Sequence, residues 1–206
     1  MLLLLTSLIA GAGGGGIYVE TTPGAAWTDA TGPITRGVSA GVSTGAFWGP
    51  YKATLQYGRY HRAGLNVTAS SAAPFRDGPE SVILSGGPEF GGGIDLLKVG
   101  AYWRVAVSPA VYVNAAELEA DEEEAAMDFG LAVRASGAGI WWLDRRFGIV
   151  GRIEGGPNYR FEDRTSFTGG IGIGLIARAG FVRNKDREDT EEPTFDPSTL
   201  PWEDTP

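Results

Sequence analysis

The feature that most constrains the fold is a two-residue alternation of side-chain character over residues 167–181. Odd positions carry Phe, Ile, Leu, Ala and one Gly, whereas even positions carry four glycines, one Thr, one Ile and one Arg. Successive side chains of a β-strand point to opposite faces of a sheet, so the segment predicts a strand with one apolar face and one small or polar face. No stretch of convincing length holds a helical period, and glycine or proline interrupts nearly every stretch in which one could begin, which predicts an all-β chain.

The same alternation recurs along the chain and predicts nine or ten strands, some of which we expect to merge. It is clear in 95–107, 127–143 and 147–159 and weaker in 17–22, 34–47, 51–61, 65–71, 82–90 and 110–116. Short turns are predicted at 48–50, 108–109 and 143–146, and longer connections at 74–80, 117–124 and 160–165. Alternating short and long connections are typical of a closed up-and-down antiparallel barrel, with eight strands or, as the alternative, ten.

The net charge of −8 is concentrated in two segments. Residues 183–206 hold eight acids and three bases, and residues 117–124 hold six acids, so the remaining chain holds 11 acids and 14 bases. The chain has no basic stripe, which excludes nucleic acid as a partner. It has no cysteine, which excludes disulfides and thiolate chemistry.

Three segments are predicted along the chain. Residues 1–15 contain an apolar run followed by small residues, which is typical of a signal peptide, although the basic n-region is missing. Residues 16–182 are predicted to form the β-barrel. Residues 183–206 combine four prolines with acids and threonines, which predicts a disordered acidic tail.

The polar face of the predicted strands indicates which solvent the apolar face meets. It is rich in glycine and serine and carries opposed charges, as the crowded interior of a narrow barrel requires, so we expect the apolar face to meet lipid. We expect a polar ladder to fill the lumen, or alternatively its arginine excess to line a narrow anion-preferring passage. The ladder consists of Glu89, Lys98, Arg104, Asp128, Arg134, Arg152, Glu154 and Arg178. Aromatic girdles at the two membrane surfaces are predicted from Trp48, Tyr51, Tyr57, Trp103, Trp141, Tyr159 and Phe181.

Residues 34–181 resemble the small outer-membrane β-barrel families. The final strand, GIGIGLIARAGF at 170–181, is similar to the terminal strand with an aromatic end that the barrel-assembly machinery reads, and the segment GIWWLDRRFGI at 139–149 is similar to the tight inner-side hairpins. In this resemblance Gly170, Gly172, Gly174 and Phe181 belong to the barrel-closing strand. The chain departs from the family pattern because 25 residues follow Phe181. The resemblance implies a bacterial outer-membrane location, with membrane lipid, lipopolysaccharide and the assembly machinery as partners.

Candidate chemistry is sparse, and no catalytic, cofactor-binding or metal residue is predicted. His61 is the single histidine and no serine stands two residues after it, so we interpret it as a rim residue. The glycine run 11–16 spells a dinucleotide motif but no helical pattern follows it. The acidic loop is predicted to face outward, where it could bridge divalent cations loosely or be a solvated, repulsive segment. Its acids are Glu117, Glu119, Asp121, Glu122, Glu123 and Glu124.

Three functional hypotheses follow from the sequence. The first is a non-enzymatic outer-membrane barrel with a structural, adhesive or envelope-tethering role, whose lumen is closed by the ladder. The second is a narrow passive pore for small solutes. The third is a soluble secreted β-barrel that binds an apolar ligand inside.

Overall fold

The computed structural model describes residues 14–29, 34–51, 56–72, 81–114, 127–161 and 165–181. They form eight strands: β1 (Gly14–Thr28), β2 (Thr35–Gly49), β3 (Tyr57–Ala72), β4 (Ser81–Leu96), β5 (Val99–Asn114), β6 (Met127–Trp142), β7 (Phe147–Arg160) and β8 (Thr165–Phe181). Neighbouring strands pair antiparallel in chain order, and β8 pairs with β1. The predicted closed barrel of eight strands is confirmed, and the alternative of ten strands is wrong.

The strand boundaries differ from the predicted ones at three places in β3 to β5. The segments 51–61 and 65–71 contribute to one strand, β3, and the predicted turn at Ser108 and Pro109 is wrong because both residues pair with β6 inside β5. Conversely, the predicted strand 95–107 contains a two-residue turn at Leu97 and Lys98, where Leu97 has a φ of 61°. Ser108 and Pro109 can lie in a strand because a strand tolerates proline where no hydrogen-bond donor is needed. The turn at Leu97 and Lys98 carries no usual turn signal, because a bulky residue rarely takes a positive φ.

The prolines within the strands lie at interruptions of the pairing ladder. Pro109 pairs with Leu131 on β6, but the β4–β5 pairing skips from Ser85 and Ala110 to Glu89 and Ala106. The β6–β7 pairing skips 133–134 and 156–157 in the same way, next to Pro157. Proline lacks the N–H that pairing on both sides needs. At its proline, each of these strands therefore pairs with only one of its two neighbouring strands.

The two ends of the barrel differ in their connections. The terminal end carries the start of β1, the end of β8 and the turns that follow β2, β4 and β6, and Phe181 pairs there with Gly15. The loop end carries the connections that follow β1, β3, β5 and β7. Residues 1–13 of the predicted signal-like segment 1–15, the acidic loop 117–124 and the tail 183–206 lie outside the described residues, whereas Gly14 and Gly15 belong to β1. Among the described residues, none belongs to a helix that could cross a membrane.

The alternation of side chains sets an apolar outer wall against a polar interior. In β8 the odd positions Ile171, Ile173 and Leu175 are exposed on the outer wall, whereas Thr168 and Arg178 are buried in the lumen. The other strands follow the same rule, so exposed Val, Ile, Leu, Phe and Trp side chains surround the barrel. The predicted apolar and polar faces of the final strand are therefore confirmed, with the apolar face outward.

The turn between β6 and β7 is stabilised by the carboxylate of Asp144. Its Oδ1 accepts the N–H of Arg146 at 2.6 Å and the N–H of Phe147 at 2.7 Å. These backbone hydrogen bonds, the one from Arg146 first, hold the pKa of Asp144 below its usual range. Because the pKa is lowered in the folded state, the stabilisation is present above the unfolded pKa and is lost as the pH falls through the folded pKa.

We expect Asp144→Ala to lower the free energy of unfolding at neutral pH, and we expect the difference from the wild type to shrink below about pH 4, where an unperturbed aspartate titrates. Urea unfolding across this pH range measures the difference. Arg145→Ala alters an exposed neighbour in the same turn and is the matched control. A deficit of Asp144→Ala that stays constant with pH would contradict the role assigned to the carboxylate.

Candidate functional site

The middle of the lumen is occupied by a network of carboxylates and guanidinium groups. Glu20 on β1 and Glu89 on β4 are 1% and 0% exposed, and Arg62 on β3 lies between them. Its Nη2 is 3.4 Å from Oε2 of Glu20 and 3.0 Å from Oε1 of Glu89. A buried charge is tolerated only when it is paired and hydrogen-bonded, and Arg62 supplies that pairing to both acids.

Two tyrosines enclose the same guanidinium group. The Arg62 guanidinium carbon lies 4.0 Å from the ring centroid of Tyr18 and 4.2 Å from that of Tyr102, so both rings contribute cation–π contacts. The hydroxyl of Tyr18 donates to Oε1 of Glu89, and that of Tyr102 donates to Oε1 of Glu20, each at 2.5 Å. Arg62 is therefore held by two carboxylates and two aromatic rings.

Two further arginines extend the network toward β7. Arg104 is 2.5 Å from Oε2 of Glu89 and also donates to the hydroxyl of Ser43. Arg152 is 3.0 Å from Oε1 of Glu20, and both arginines approach Oε2 of Glu154, at 3.5 Å and 3.2 Å. We call the middle network the group Glu20, Arg62, Glu89, Arg104, Arg152 and Glu154. It holds three acids and three bases, so its formal charge is zero.

A second polar cluster lies toward the terminal end. Arg178 pairs with Asp95 and lies 3.5 Å from the ring centroid of Trp142, whose Nε1 donates to Oδ1 of Asp95 at 3.2 Å. The neighbouring space is filled by Phe47, Tyr51 and Tyr60, which meet edge to face. Among the described residues, aromatic rings therefore surround the Arg178–Asp95 ion pair at this end of the lumen.

Toward the loop end, Arg134 has no carboxylate partner among the described residues. Its Nη2 donates to Oδ1 of Asn158 at 2.5 Å, and its Nη1 donates to the carbonyl oxygens of Gly156 and Pro157, each at 3.3 Å. Asn158 in turn donates to Ser166 and Thr168. The hydrogen bonds of Arg134 therefore go to neutral oxygens, and Glu154 lies near enough to interact with its charge without forming an ion pair.

A small void lies between the middle network and the aromatic cluster. Its volume is about 20 Å³, and its lining includes Tyr18, Tyr60, Arg62, Trp142 and Arg178. That volume is enough for about one water molecule.

Most of the predicted ladder faces the lumen, with two corrections. Glu89, Arg104, Arg134, Arg152, Glu154 and Arg178 point inside. Lys98 is predicted to face the lumen but is exposed in the β4–β5 turn. The prediction is wrong because it treats 95–107 as one strand, whereas the chain turns at Leu97 and Lys98. Asp128 is half-buried at the start of β6, and its Oδ2 lies 4.0 Å from Nε of Arg160. It therefore pairs at the loop end and not with the other residues of the ladder.

Three residues of the lumen clusters, Glu20, Arg62 and Asp95, are absent from the predicted ladder. Glu20 occupies the polar face of the predicted strand 17–22, and Arg62 continues the polar face of β3 through Asn66 and Thr68. Joining the segments 51–61 and 65–71 into one strand would have revealed Arg62. The membership of these residues in a common network could not be read from spacing, because Arg152 and Glu20 stand 132 positions apart.

The predicted girdle residues divide between the outer wall and the lumen. Tyr57, Trp103, Trp141 and Tyr159 are exposed on the outer wall. Tyr51 is 3% exposed, and its prediction as a girdle residue is wrong because the chain turns it into the lumen against Phe47 and Tyr60. Trp48 is half-buried beside the exposed His61, at 6.2 Å between ring centroids. The side chain of Phe181 lies outside the described residues. No group of acids and histidines suited to a metal ion occurs in the described ranges.

Comparison with solved structures supports the fold. The chain is similar to Neisserial surface protein A, with a TM-score of 0.56 and 11% identity over 78% of this chain and 96% of that one. It also matches Ail, the attachment invasion locus protein of Yersinia pestis, with a TM-score of 0.44 and 9% identity over 82% of this chain and 99% of that one. The N-terminal β-barrel domain of Pseudomonas aeruginosa OprF gives a TM-score of 0.42 and 9% identity over 80% and 98%.

The first of these likenesses carries the structural conclusion, since the other two TM-scores are low. The chain has the fold of the small outer-membrane β-barrels, as the sequence resemblance predicted. No protein-family model matches the chain, and no curated protein matches it in sequence.

Proposed function

We propose that the protein is a bacterial outer-membrane β-barrel with a structural or envelope-surface role and a lumen closed to solutes. The observation that carries the proposal is the inverted distribution of side chains. Apolar side chains are exposed around the outer wall, and the charged groups of the middle network are buried inside. A barrel dissolved in water would expose its charges and bury its apolar face.

The closed sheet supports the membrane location. In hydrocarbon each unsatisfied backbone N–H or C=O costs several kcal/mol, so a membrane-spanning sheet must close on itself. The pairing of β8 with β1 completes such a ring. Exposed aromatic side chains lie near both ends of the outer wall, as membrane interfaces favour. They are Tyr57, Trp103, Trp141 and Phe147 at the terminal end and Phe129, Tyr159, Phe161 and Phe167 at the loop end.

The packed lumen supports a structural role over transport. The void of about 20 Å³ beside Arg62 holds about one water molecule, and the ion pairs around it would have to break before a hydrated solute could pass. The same packing argues against an apolar ligand inside the barrel. The proposal therefore assigns the protein no catalytic reaction, and its partners are lipid, lipopolysaccharide and the barrel-assembly machinery.

The role of the acidic loop remains a prediction. Loose bridging of divalent cations by residues 117–124 would bind this loop to lipopolysaccharide phosphates. A structural barrel anchored in this way would reinforce the envelope surface.

We expect the full chain to fractionate with the outer membrane and to migrate faster unheated than boiled on a detergent gel, because a closed barrel resists the detergent until it is heated. We also expect no conductance above baseline when the folded protein is reconstituted in planar bilayers, since the ion pairs close the lumen.

Two outcomes would contradict parts of this proposal separately. A monomer that stays soluble without detergent would overturn the membrane location. Steady single-channel conductance, from a protein that also shows heat-modifiable migration, would support the membrane location. It would overturn the closed lumen in favour of the narrow pore.

A further inference from the structure

Two turns at the terminal end present a cluster of exposed cations. The β4–β5 turn carries Lys98 and the β6–β7 turn carries Arg145 and Arg146, and all three residues are exposed. We call these three residues the basic rim. Asp144 is the acid of the two turns, so three bases and one acid give them a formal charge of +2. Within the described ranges no carboxylate forms an ion pair with a residue of the basic rim.

Hydrogen bonds fix the two turns against each other. The backbone N–H of Trp142 donates to the carbonyl oxygen of Lys98 at 2.8 Å, which joins the β6–β7 turn to the β4–β5 turn. Nε2 of the buried Gln56 donates to the carbonyl oxygen of Asp144 at 2.6 Å. The carboxylate of Asp144 is occupied by the N–H groups of its own turn, although its charge also acts on Arg146. The basic rim is therefore held in place before any anion contacts it, which lowers the entropic cost of such a contact.

The basic rim lies beside the end of β8, from which the acidic tail continues. The backbone N–H of Arg178 donates to the carbonyl oxygen of Arg146 at 2.7 Å, and β8 ends at Phe181. In the sequence that follows, residues 188–196 hold five acids and no base. Position 188 stands seven residues after Phe181, and a fully extended chain of that length spans about 23–25 Å. The acidic stretch is therefore within reach of the basic rim.

We propose that the basic rim binds residues 188–196 of the same chain. The two partners have opposite charge, and their connection through β8 gives the acidic stretch a high effective concentration at the rim. Residues 183–187 hold three bases and one acid, so the contact falls on the more distant acidic stretch. Exposed ion pairs are individually weak, and the contact depends on several of them acting together under the tether. It keeps the acidic stretch at the barrel, where it is less available to other partners.

The test measures the distance between the basic rim and the acidic stretch in the folded full chain. Because the chain has no cysteine, Leu143→Cys and Thr190→Cys place two nitroxide labels selectively, one on the exposed β6–β7 turn and one among the acids. Double electron–electron resonance in uncharged detergent micelles then gives their separation. We expect a short-distance population at about 0.01 M salt, where the Debye length is about 30 Å, and its loss near 1 M, where that length is about 3 Å.

Neutral variants of the basic rim test which charges hold the contact. Lys98→Gln, Arg145→Gln and Arg146→Gln are each expected to lower the ratio of the short- to the long-distance population about twofold, and the triple variant about eightfold if the pairs act independently. Arg36→Gln is the matched control, because it removes an exposed arginine of β2 near the loop end and should leave the ratio unchanged.

Exchanging the charges distinguishes an ion-pair contact from a change in the turn itself. Arg145→Glu with Arg146→Glu is expected to abolish the short-distance population, and adding Glu191→Lys with Glu192→Lys is expected to restore it. The carboxylate of Asp144 binds backbone N–H groups, so these side-chain substitutions leave its hydrogen bonds in place. Failure of the exchange to restore the population would overturn the proposal.

Three further outcomes would also overturn it. The first is an equal distribution of distances in the wild type and the triple variant at both salt concentrations. The second is a short-distance population that disappears when labelled protein is diluted with unlabelled protein, since the acidic stretch then contacts a second copy. The third is a population present in phosphatidylcholine nanodiscs but lost in phosphatidylglycerol nanodiscs, since the basic rim then binds lipid phosphates.

The proposal goes beyond the proposed membrane location and does not depend on it, because the contact lies within one folded chain. Heat-modifiable migration checks that each variant has formed the barrel. A wild type that fails to float with lipid vesicles but keeps the short-distance population contradicts the membrane location alone. A wild type that floats, with rim variants that keep its distances, contradicts the tail contact alone.

Discussion

Replacing Arg62 by methionine is expected to lower the free energy of unfolding by about 3–5 kcal/mol, the usual cost of leaving a buried charge without its partner. Arg62 is 2% exposed and contacts the carboxylates of Glu20 and Glu89. Methionine fills much of the same volume between Tyr18 and Tyr102 but returns no positive charge. The middle network would then hold three acids and two bases. Urea unfolding of the folded protein in detergent micelles measures the loss.

Two comparisons test whether the lost charge causes the effect. Arg36→Met removes an exposed arginine from β2 and is expected to change stability by less than about 0.5 kcal/mol, as surface substitutions usually do. Adding Glu20→Gln to Arg62→Met restores equal numbers of acids and bases, and we expect it to recover part of the loss. A double variant less stable than Arg62→Met alone would show that packing, and not charge, dominates at this position.

The sequence predicts which face a residue takes more reliably than which partner it meets. Two-residue alternation placed Glu89, Arg104 and Arg178 in the lumen, because the side of a strand follows from parity once the strand is recognised. Parity fails where a strand boundary is wrong. Lys98 was assigned to the lumen across a turn that the sequence does not signal, since Leu97 takes the positive φ that glycine or asparagine usually takes.

Partner choice depends on register and closure, which act between distant segments. Arg152 meets Glu20 only because the barrel closes and brings β7 and β1 to the two sides of β8, from which both side chains point into the lumen. Arg62 was missed because the pattern of β3 is interrupted at Ala63 and Gly64. Gly64 is needed there by a close approach, since a Cβ would overlap the backbone carbonyl oxygen of Thr44 and lie 2.6 Å from the hydroxyl of Tyr18. The close approach of β2 thus requires the glycine that interrupts the pattern beside Arg62.

The barrel-closing strand contains glycines that differ in how closely β1 approaches them. At Gly174 an added Cβ would overlap the carbonyl oxygen of Thr21, whereas at Gly172 it would lie 2.9 Å from that of Pro23 and at Gly170 3.2 Å from that of Ala25. The β1–β8 pairing is interrupted beside Gly174, between the pairs of Thr21 and of Gly24. The obstructing atoms at Gly174 belong to the backbone, so a side chain there cannot be accommodated by a rotamer change.

We therefore expect Gly174→Ala to destabilise the barrel most, by about 3 kcal/mol or more, as severe overpacking does. Gly172→Ala should have an intermediate effect and Gly170→Ala the smallest of the three. Gly151→Ala on β7 is the matched control, because nothing lies within 4 Å of the added Cβ and the strand can accommodate alanine there without a clash. Urea midpoints and the fraction that shows heat-modifiable migration give the order. Equal stability of Gly174→Ala and Gly151→Ala would mean that β1 and β8 do not approach this closely, and the seam that closes the barrel would need a different register.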